Sequence, residues 1–188
     1  AGDLMPVSAE PYAALCSLGG NMSVNDALPW IDQELALLRD ADARGVPVIG
    51  HCLGGQLLAK ALGAQVTRAP YLEMGWAPVE LDDAALAREW LGEGSDAVEL
   101  FHWHGDTFEV PPSGRRFVTG PWCANQAFVV PRPGYDHVGM QFHIEMTPAA
   151  GPLFIVVMVM ACVGQLIFRT GPQVPLLCAA GAFARQAP

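Results

Sequence analysis

The stretch Gly45-Val46-Pro47-Val48-Ile49-Gly50-His51-Cys52-Leu53-Gly54-Gly55-Gln56 predicts a short buried strand, a sharp turn and the start of a helix. The β-branched residues before Gly50 favour the strand. Residues 57–62 are good helix formers, and Gly63 marks the end of the helix. Cys52 therefore lies at the point where a strand becomes a helix.

Cys52 has the sequence surroundings of a nucleophile. Gly50 and Gly54 stand two residues before and after it, and small residues at these positions let the backbone turn tightly, as in a nucleophile elbow with Cys in place of Ser. The N-terminus of the following helix would stabilise a thiolate. A buried structural cysteine in a βα unit is the alternative that this stretch alone leaves open.

A second stretch, Val138-Gly139-Met140-Gln141-Phe142-His143-Ile144-Glu145, predicts another short strand that ends in His-x-Glu. A cysteine nucleophile needs a general base, and that base needs a third group to fix its tautomer. His143 and Glu145 can supply both functions. His51 is a less favoured base, because a residue next to Cys52 on a strand points to the other side.

These two stretches resemble the two signatures of class I glutamine amidotransferase domains. The segment Leu18-Gly19-Gly20-Asn21-Met22-Ser23-Val24 resembles the glycine loop that carries part of that family's oxyanion hole. Three further segments resemble a stand-alone subgroup related to the amidotransferase domain of GMP synthase: Glu73-Met74-Gly75-Trp76, His102-Trp103-His104-Gly105-Asp106-Thr107-Phe108 and Asn125-Gln126-Ala127-Phe128. The resemblance covers roughly residues 10 to 148, with its motifs in the family's order.

The resemblance implies a three-layer α/β fold with a mostly parallel, flavodoxin-like sheet. In the family, the strand expected at residues 12–18 is preceded by a βαβ unit, so we expect this chain to lack its first βαβ unit. We expect one domain over residues 1–150 and an atypical hydrophobic tail over residues 151–188. The apolar run at 153–168 is shorter than the roughly 20 residues that span a bilayer. It can be interpreted as a buried element, a membrane-associated tail or, the interpretation we favour, a stretch translated out of frame.

The resemblance also implies the roles of individual residues. Cys52, His143 and Glu145 would form a catalytic triad that cleaves the γ-amide of glutamine through a γ-glutamyl thioester. The backbone N–H groups of Gly20 and Leu53 would form the oxyanion hole, although Asn21 stands where the family normally has Pro. The expected substrate-pocket residues are Gln56, Glu73 and His104. No cofactor is implied, and the ammonia acceptor would be a separate synthase.

Two alternatives remain open at this point. A γ-glutamyl peptidase or hydrolase uses the same triad with an amine other than ammonia as leaving group. A non-catalytic or redox-sensing member of the fold, or an inactive fragment, would use Cys52 differently or not at all.

A pair of histidines also raises the possibility of a metal site. His102 and His104 share one face of a predicted strand, and this spacing suits a metal ion. The only attractive further ligands are Cys52 and His143, which the triad needs, so we expect no metal. We expect His104 and Asp106 to order a loop beside the site, and Trp103 on the opposite face to pack into the core.

Composition excludes several other classes of function. The net charge of −9 argues against nucleic acid or an anionic membrane as the partner. The five cysteines show no C-x-x-C spacing, which argues against a disulfide framework and indicates a reducing compartment, the cytoplasm. Cys123 is expected to be structural. The N-terminus shows no signal-peptide pattern.

The remaining pattern predicts the elements around the site. Apolar residues at helical spacing, namely Ile31, Leu35, Leu38 and Ala41, predict a helix after Pro29. We predict a strand at 64–69, a loop and a separate strand within 71–81, a short helix within 82–94, a strand through His102 and His104, and an antiparallel hairpin from 117–120 and 126–130.

Overall fold

The computed structural model describes residues 5–92 and 99–146 of the chain. They form an α/β fold with helices on both faces of a central sheet. The helices are α1 (Pro29–Arg44), α2 (Leu53–Ala61) and α3 (Ala84–Leu91). The strands are β1 (Leu15–Ser17), β2 (Val48–His51), β3 (Val66–Pro78), β4 (Glu80–Leu81), β5 (Glu99–Phe108), β6 (Arg115–Thr119), β7 (Ala127–Arg132) and β8 (Tyr135–Met140).

The central sheet has the strand order β1-β2-β8-β7-β6-β4. The pairs β1–β2 and β2–β8 are parallel, and the remaining three pairs are antiparallel. Strands β1, β2, β8 and β6 therefore point the same way, which confirms the mostly parallel sheet, and β1 lies at its edge. His51 on β2 is paired with Met140 on β8, so Cys52 and Gln141 follow at the same edge of the sheet.

The sheet separates two apolar clusters. Helices α1 and α2 cover one face, and α3 contributes to the cover of the other. Strand β7 shows the division, because Phe128 and Val130 belong to the first cluster while Val129 belongs to the second. This alternation follows from the two-residue period of a strand. It confirms the three-layer arrangement.

Helix α1 is the predicted amphipathic helix. Pro29 occupies its first turn, where a missing N–H costs nothing, and Gly45 ends it in the left-handed conformation with φ of 76°. The four apolar residues predicted to face the core are all buried.

Strand β3 corrects the prediction of two strands separated by a loop. It is one long strand that pairs antiparallel with β5 in a separate two-stranded sheet. The pairing shifts between Arg68 and Glu73, so four residues of β3 lie opposite Gly105 alone. Pro70 lies within this bulge, where no ladder N–H is needed.

The predicted elbow at Cys52 depends on close backbone packing. Cys52 is the only non-glycine residue with positive φ in the described part of the chain, with φ of 51° and ψ of −114°. A Cβ atom on Gly54 would lie 2.0 Å from the carbonyl oxygen of Ser17, and one on Gly50 would lie 2.4 Å from that of Gly54. The chain can therefore turn at Cys52 only with glycine at both positions.

In the described ranges no helix combines the length and the apolar character needed to cross a membrane. The hydrophobic run at 153–168 and the predicted boundary at residue 150 lie outside the described residues.

A polar network ties α1 to β7 and β8. The carboxylate of Asp42 accepts hydrogen bonds from Arg132 at 2.6 and 3.2 Å and from Nε2 of His137 at 3.1 Å. Nδ1 of His137 accepts the Val48 N–H, so the ring proton belongs on Nε2. The bond from Arg132 lowers the pKa of Asp42, against the effect of burial.

We predict that Asp42→Asn lowers the free energy of unfolding by about 1.5–3 kcal/mol near neutral pH. Since the pKa of Asp42 is lower in the folded than in the unfolded state, its contribution is present above its ordinary value of 3.8 and is lost as the pH falls through the folded value. Urea unfolding from about pH 7 to about pH 3 should show the difference from wild type shrinking in acid. The exposed Asp32→Asn is the control, with a loss of at most a few tenths of a kcal/mol. A pH-independent difference for Asp42→Asn would contradict the prediction.

We further predict that Gly54→Ala destabilises the fold by about 3 kcal/mol or more, at the upper end for overpacking. In a solvent-exposed helix the same substitution would increase stability by about 1 kcal/mol. A loss of stability in Gly54→Ala would therefore indicate the close contact with Ser17. The control is Gly105→Ala, whose new Cβ would have its nearest contacts with the side chains of Arg68 and Leu72, at 3.6 Å or more. Urea unfolding compares the two variants, and equal losses would contradict the close packing.

Candidate active site

Cys52 stands at the first turn of α2, between the ends of β2 and β8. Its N–H donates to the carbonyl oxygen of Met140 at 2.8 Å, which fixes the turn against β8. The side chain is buried, and its Sγ lies 3.6 Å from the carbonyl oxygen of Trp103 on β5. The sulfur therefore lies at the N-terminal end of α2, where the first N–H groups of a helix have no partner within the helix.

His143 reaches the same place from β8. It follows the end of that strand, and its backbone is tied to Phe101 on β5, with its N–H donating to the Phe101 carbonyl oxygen at 2.8 Å. A Cβ atom on Gly19 would lie 3.3 Å from Cε1 of His143 and 3.4 Å from Cβ of Cys52. The fold therefore brings the sulfur and the imidazole together beside the Gly19 backbone.

A carboxylate lies behind the His143 ring. Nδ1 of His143 is 2.7 Å from Oε1 of Glu145, whose side chain is about half exposed. The other oxygen of Glu145 is 3.7 Å from Nδ1 of His51. Burial lowers the pKa of His51, partly offset by Glu145. His51 is thus a neighbour of the carboxylate, a contact that the sequence did not reveal.

The electrostatics of the pair favour a charged imidazole. Burial alone would lower the pKa of His143, but hydrogen bonds with Cys52 and Glu145 outweigh it and raise that pKa to about 9. Burial raises the pKa of Glu145, and the hydrogen bond with His143 more than compensates, so that the net shift is downward. At neutral pH the ring can therefore act as an acid towards a group beside the sulfur.

A cavity of about 220 Å³ opens over Cys52 and His143. Its lining includes Gly20, Leu53, Gln56, Arg68, Trp103 and Asp106. The two predicted oxyanion-hole residues are thus at the cavity. Trp103 corrects an expectation, because it is only half-buried and lines this cavity instead of packing into the core. In the sequence, the only signal for the close approach of Gly19 to this site is the Gly19-Gly20 pair of the glycine loop.

Gln56 also lines the cavity, but its amide donor is used inside the protein. Its Nε2 donates to the carbonyl oxygen of Asp106 and to Oε1 of Gln141, both at 3.2 Å. This amide N–H group is therefore already engaged by two acceptors inside the protein. Gln56 is buried and connects α2 to β5 and to the end of β8.

Glu73, the second residue expected in the substrate pocket, is not among the residues that line the cavity. Its carboxylate is buried behind β5, 2.8 Å from Nε2 of His104, and accepts a hydrogen bond from Gln126 at 2.7 Å. Burial opposes ionisation, but His104, His102 and Gln126 lower the pKa of Glu73. Burial lowers the pKa of the adjacent His102 to about 4.

His104 and Asp106 both lie within β5, so the loop that the sequence predicted for them is part of a strand. Nδ1 of His104 lies 2.9 Å from the carbonyl oxygen of Asp106, and His104 is itself part of the cavity wall. The Asp106 carboxylate accepts a hydrogen bond from the hydroxyl of Ser23. Cys123 is buried away from the cavity beside Thr107, and burial raises its pKa.

Comparison with curated proteins finds relatives of two kinds. The chain is 30% identical over 155 residues to the glutamine amidotransferase-like protein YfeJ of Salmonella typhimurium, covering 80% of this chain and 64% of YfeJ. It is 35% identical over 135 residues to the glutamine-hydrolyzing GMP synthase of Natranaerobius thermophilus, covering 71% of this chain. This chain spans only 24% of that synthase.

Solved structures give the same family. The glutamine amidotransferase of Methylobacillus flagellatus matches with a TM-score of 0.75 and 41% identity, over 93% of this chain and 68% of that one. A glutamine amidotransferase of Thermotoga maritima matches with a TM-score of 0.67 and 32% identity, over 90% and 71%. A family model described as glutamine amidotransferase class-I matches residues 6–156, which is most of the chain, and the protein therefore belongs to that family.

Proposed function

We propose that this protein hydrolyses the side-chain amide of glutamine to glutamate and ammonia, with Cys52 as nucleophile, His143 as acid and base, and Glu145 as the group that orients His143. The observation that carries the proposal is the arrangement at the elbow. A cysteine in a strained turn lies at a helix N-terminus, and an imidazole with a pKa raised to about 9 lies beside it. A carboxylate 2.7 Å away holds that ring.

In the proposed reaction, the Cys52 sulfur attacks the side-chain carbonyl carbon of glutamine. The N–H groups of Gly20 and Leu53, both at the cavity, stabilise the oxygen anion that develops. His143 gives its proton to the departing ammonia, and the C–N bond breaks to leave a γ-glutamyl thioester on Cys52. The neutral ring then takes a proton from water, which attacks the thioester and releases glutamate.

The cavity carries charges that suit the substrate's other end. Arg68 and Asp106 are register partners on β3 and β5, and both line the cavity. A guanidinium and a carboxylate match the α-carboxylate and α-ammonium groups of a free amino acid. A γ-glutamyl peptide has the same head, so these charges favour a γ-glutamyl group without choosing between amide and peptide.

We also propose that the ammonia passes to a separate synthase chain. The relatives include glutamine-hydrolyzing GMP synthases, of which this chain spans about a quarter, and this likeness supports a synthase as the acceptor of the ammonia.

We predict that Cys52→Ser abolishes glutamine hydrolysis, with kcat reduced by more than about 10⁴-fold, because the weaker nucleophile cannot form the thioester. A glutamine-analogue electrophile should label wild type once, at Cys52, as located by mass spectrometry. Cys123→Ser is the matched control. It should keep both activity and labelling, because Cys123 is buried outside the cavity. A folded wild type without labelling, or labelling elsewhere, would support the non-catalytic alternative.

We predict that Glu145→Gln moves the alkaline limb of kcat/KM to lower pH. The wild-type limb should lie at about pH 9, where His143 loses its proton. Removing the carboxylate removes an interaction that raises this pKa, so the ring deprotonates at lower pH. The exposed Glu89→Gln on α3 is the control and should leave the limb in place. An unchanged limb in Glu145→Gln would argue against the orienting role.

A third measurement separates the proposal from γ-glutamyl peptide hydrolysis. We predict that wild type has a higher kcat/KM for glutamine than for γ-glutamyl dipeptides, measured as glutamate release with each substrate. The reverse preference would replace the glutaminase proposal with a peptidase that uses the same three residues.

A further inference from the structure

A buried polar cluster lies behind the strand that faces Cys52. It consists of Glu73 on β3 and His102 and His104 on β5, which are only 6%, 1% and 4% exposed. Glu73 is the direct register partner of His104, and His102 lies two residues away on the same face of β5. Three side chains of metal-ligating type therefore converge in the interior, none of which the proposed reaction uses as nucleophile, acid or base.

The distances within the cluster match those between ligands of one small cation. The three ligand atoms all lie within 4.8 Å of one another. Oε2 of Glu73 is 2.8 Å from Nε2 of His104 and 3.8 Å from Nδ1 of His102. Two ligands of a tetrahedral zinc ion with bonds of about 2.0–2.1 Å are about 3.3 Å apart, so the two measured distances bracket that value.

The hydrogen bonding of His104 leaves its second nitrogen facing a carboxylate. Nδ1 lies 2.9 Å from the Asp106 carbonyl oxygen, and since a carbonyl can only accept, Nδ1 carries a proton. Nε2 then meets Glu73 at 2.8 Å, where a lone pair and a carboxylate would repel each other. Either a second proton or a metal ion must supply positive charge there. A histidine that ligates through one nitrogen and donates from the other to a carbonyl is the usual arrangement at metal sites.

His102 distinguishes between these two sources of charge. An ion pair between Glu73 and a doubly protonated His104 would leave both ring nitrogens of His102 without a well-aligned hydrogen bond among the described residues. The backbone of Ala77 offers the ring at most a weak hydrogen bond, which is the smallest of the influences on the pKa of His102. Oε1 of Glu73 and Oε1 of the adjacent Gln126 are buried and unsatisfied as well. Buried polar atoms normally have a partner, and the ion pair provides none for these four atoms. A further group bound between the side chains would provide one.

We propose that Glu73, His102 and His104 bind one divalent transition-metal ion, for which zinc is the best match to two imidazoles and a carboxylate. Gln126 donates to the ligating carboxylate at 2.7 Å, so it orients Glu73. The site is separate from Cys52 and His143 and does not depend on the proposed function.

The position of the site gives the metal ion a supporting role. Trp103 lies between the two ligating histidines on β5, with its carbonyl oxygen 3.6 Å from Sγ of Cys52. A metal ion that holds His102 and His104 to β3 would fix this part of β5, and with it one wall of the cavity.

The experiment measures metal binding directly on the full chain. After chelation and dialysis, Zn²⁺ is titrated in competition with a chromogenic chelator, and Co²⁺ is added separately to record its absorption spectrum. We expect about one equivalent of either ion per chain. The Co²⁺ complex should show the visible bands of a tetrahedral site without the near-ultraviolet charge-transfer band of a thiolate ligand, because the cluster contains no cysteine.

Ligand variants and controls locate the ion. Glu73→Gln and His102→Asn should each lower the affinity for Zn²⁺ by more than the roughly 10–100-fold that loss of an outer-shell partner costs. Cys52→Ser and His51→Asn remove donors of the neighbouring active site and should leave the affinity unchanged. Circular dichroism checks that each variant is folded. If a ligand variant does not fold, the wild-type Co²⁺ spectrum and the two controls still decide the question.

Three results would overturn the proposal. The first is a folded wild type that binds no stoichiometric Zn²⁺ or Co²⁺, which would assign the cluster to an ion pair with protonated His104. The second is binding that Cys52→Ser abolishes or a thiolate band in the Co²⁺ spectrum, which would place the ion at the active site. The third is unchanged affinity in both folded ligand variants. None of these readouts depends on glutamine hydrolysis, so a failure here is distinct from a failure of the proposed function.

Discussion

The close packing of the N-terminal turn of α2 against the ends of the parallel strands is the constraint on which the candidate site depends. The backbone of Gly54 touches the Ser17 carbonyl group of β1, and that of Gly55 touches Met140 of β8, with no room for a Cβ atom at either glycine. This approach forces Cys52 to φ of 51°, a conformation that non-glycine residues rarely adopt. The backbone strain is therefore at Cys52 itself, and this conformation directs its sulfur towards β5 and the cavity.

A circuit of buried hydrogen bonds carries this constraint across the molecule. Gln56 of α2 donates to the Asp106 carbonyl group, which also contacts His104. His104 meets Glu73, and Glu73 accepts from Gln126. The carbonyl group of Gln126 accepts the N–H of Gln141, whose side chain returns to Gln56. Removing one member would leave its buried partners without a hydrogen bond, which destabilises the folded state. The position of each side chain in this circuit therefore depends on the others. The polar groups of Gln56 and Glu73 named here therefore bond to other residues of the protein, and the two side chains hold the elements around the cavity in place.

A second buried histidine, His137, lies at the other end of β8, and its partners differ from those of His143. There Asp42, at the end of α1, accepts from Arg132 and from a His137 ring whose other nitrogen accepts a backbone N–H from β2. At the active-site end, Glu145 holds His143 in the corresponding way but leaves the other ring nitrogen on the side of Cys52. Burial lowers the pKa of His137, whereas the partners of His143 raise its pKa to about 9. The pKa values of His137 and His143 are thus shifted in opposite directions, because the two rings have different neighbours.

The sequence by itself determined the features that depend on a few adjacent residues. Gly50, Gly54 and the helix formers after them specify the elbow, since sterics at the turn admit no other residue type. The apolar spacing of α1 and its end at Gly45 likewise follow from local geometry. The sequence also put Cys52 and His143 directly after predicted strands, and the two come close because parallel neighbours end at the same edge of a sheet.

Only the tertiary structure decided which side chains meet across strands that are far apart in sequence. The pairing of β3 with β5 turned an expected loop and second strand into one bulged strand, because a long partner supplies ladder hydrogen bonds on both sides of Pro70. That pairing placed Glu73 against His104 and away from the cavity, and it left Trp103 lining the cavity. Strand register is set by long-range packing, which no local pattern contains. The elbow could therefore be predicted from the sequence, whereas the contacts behind it could not.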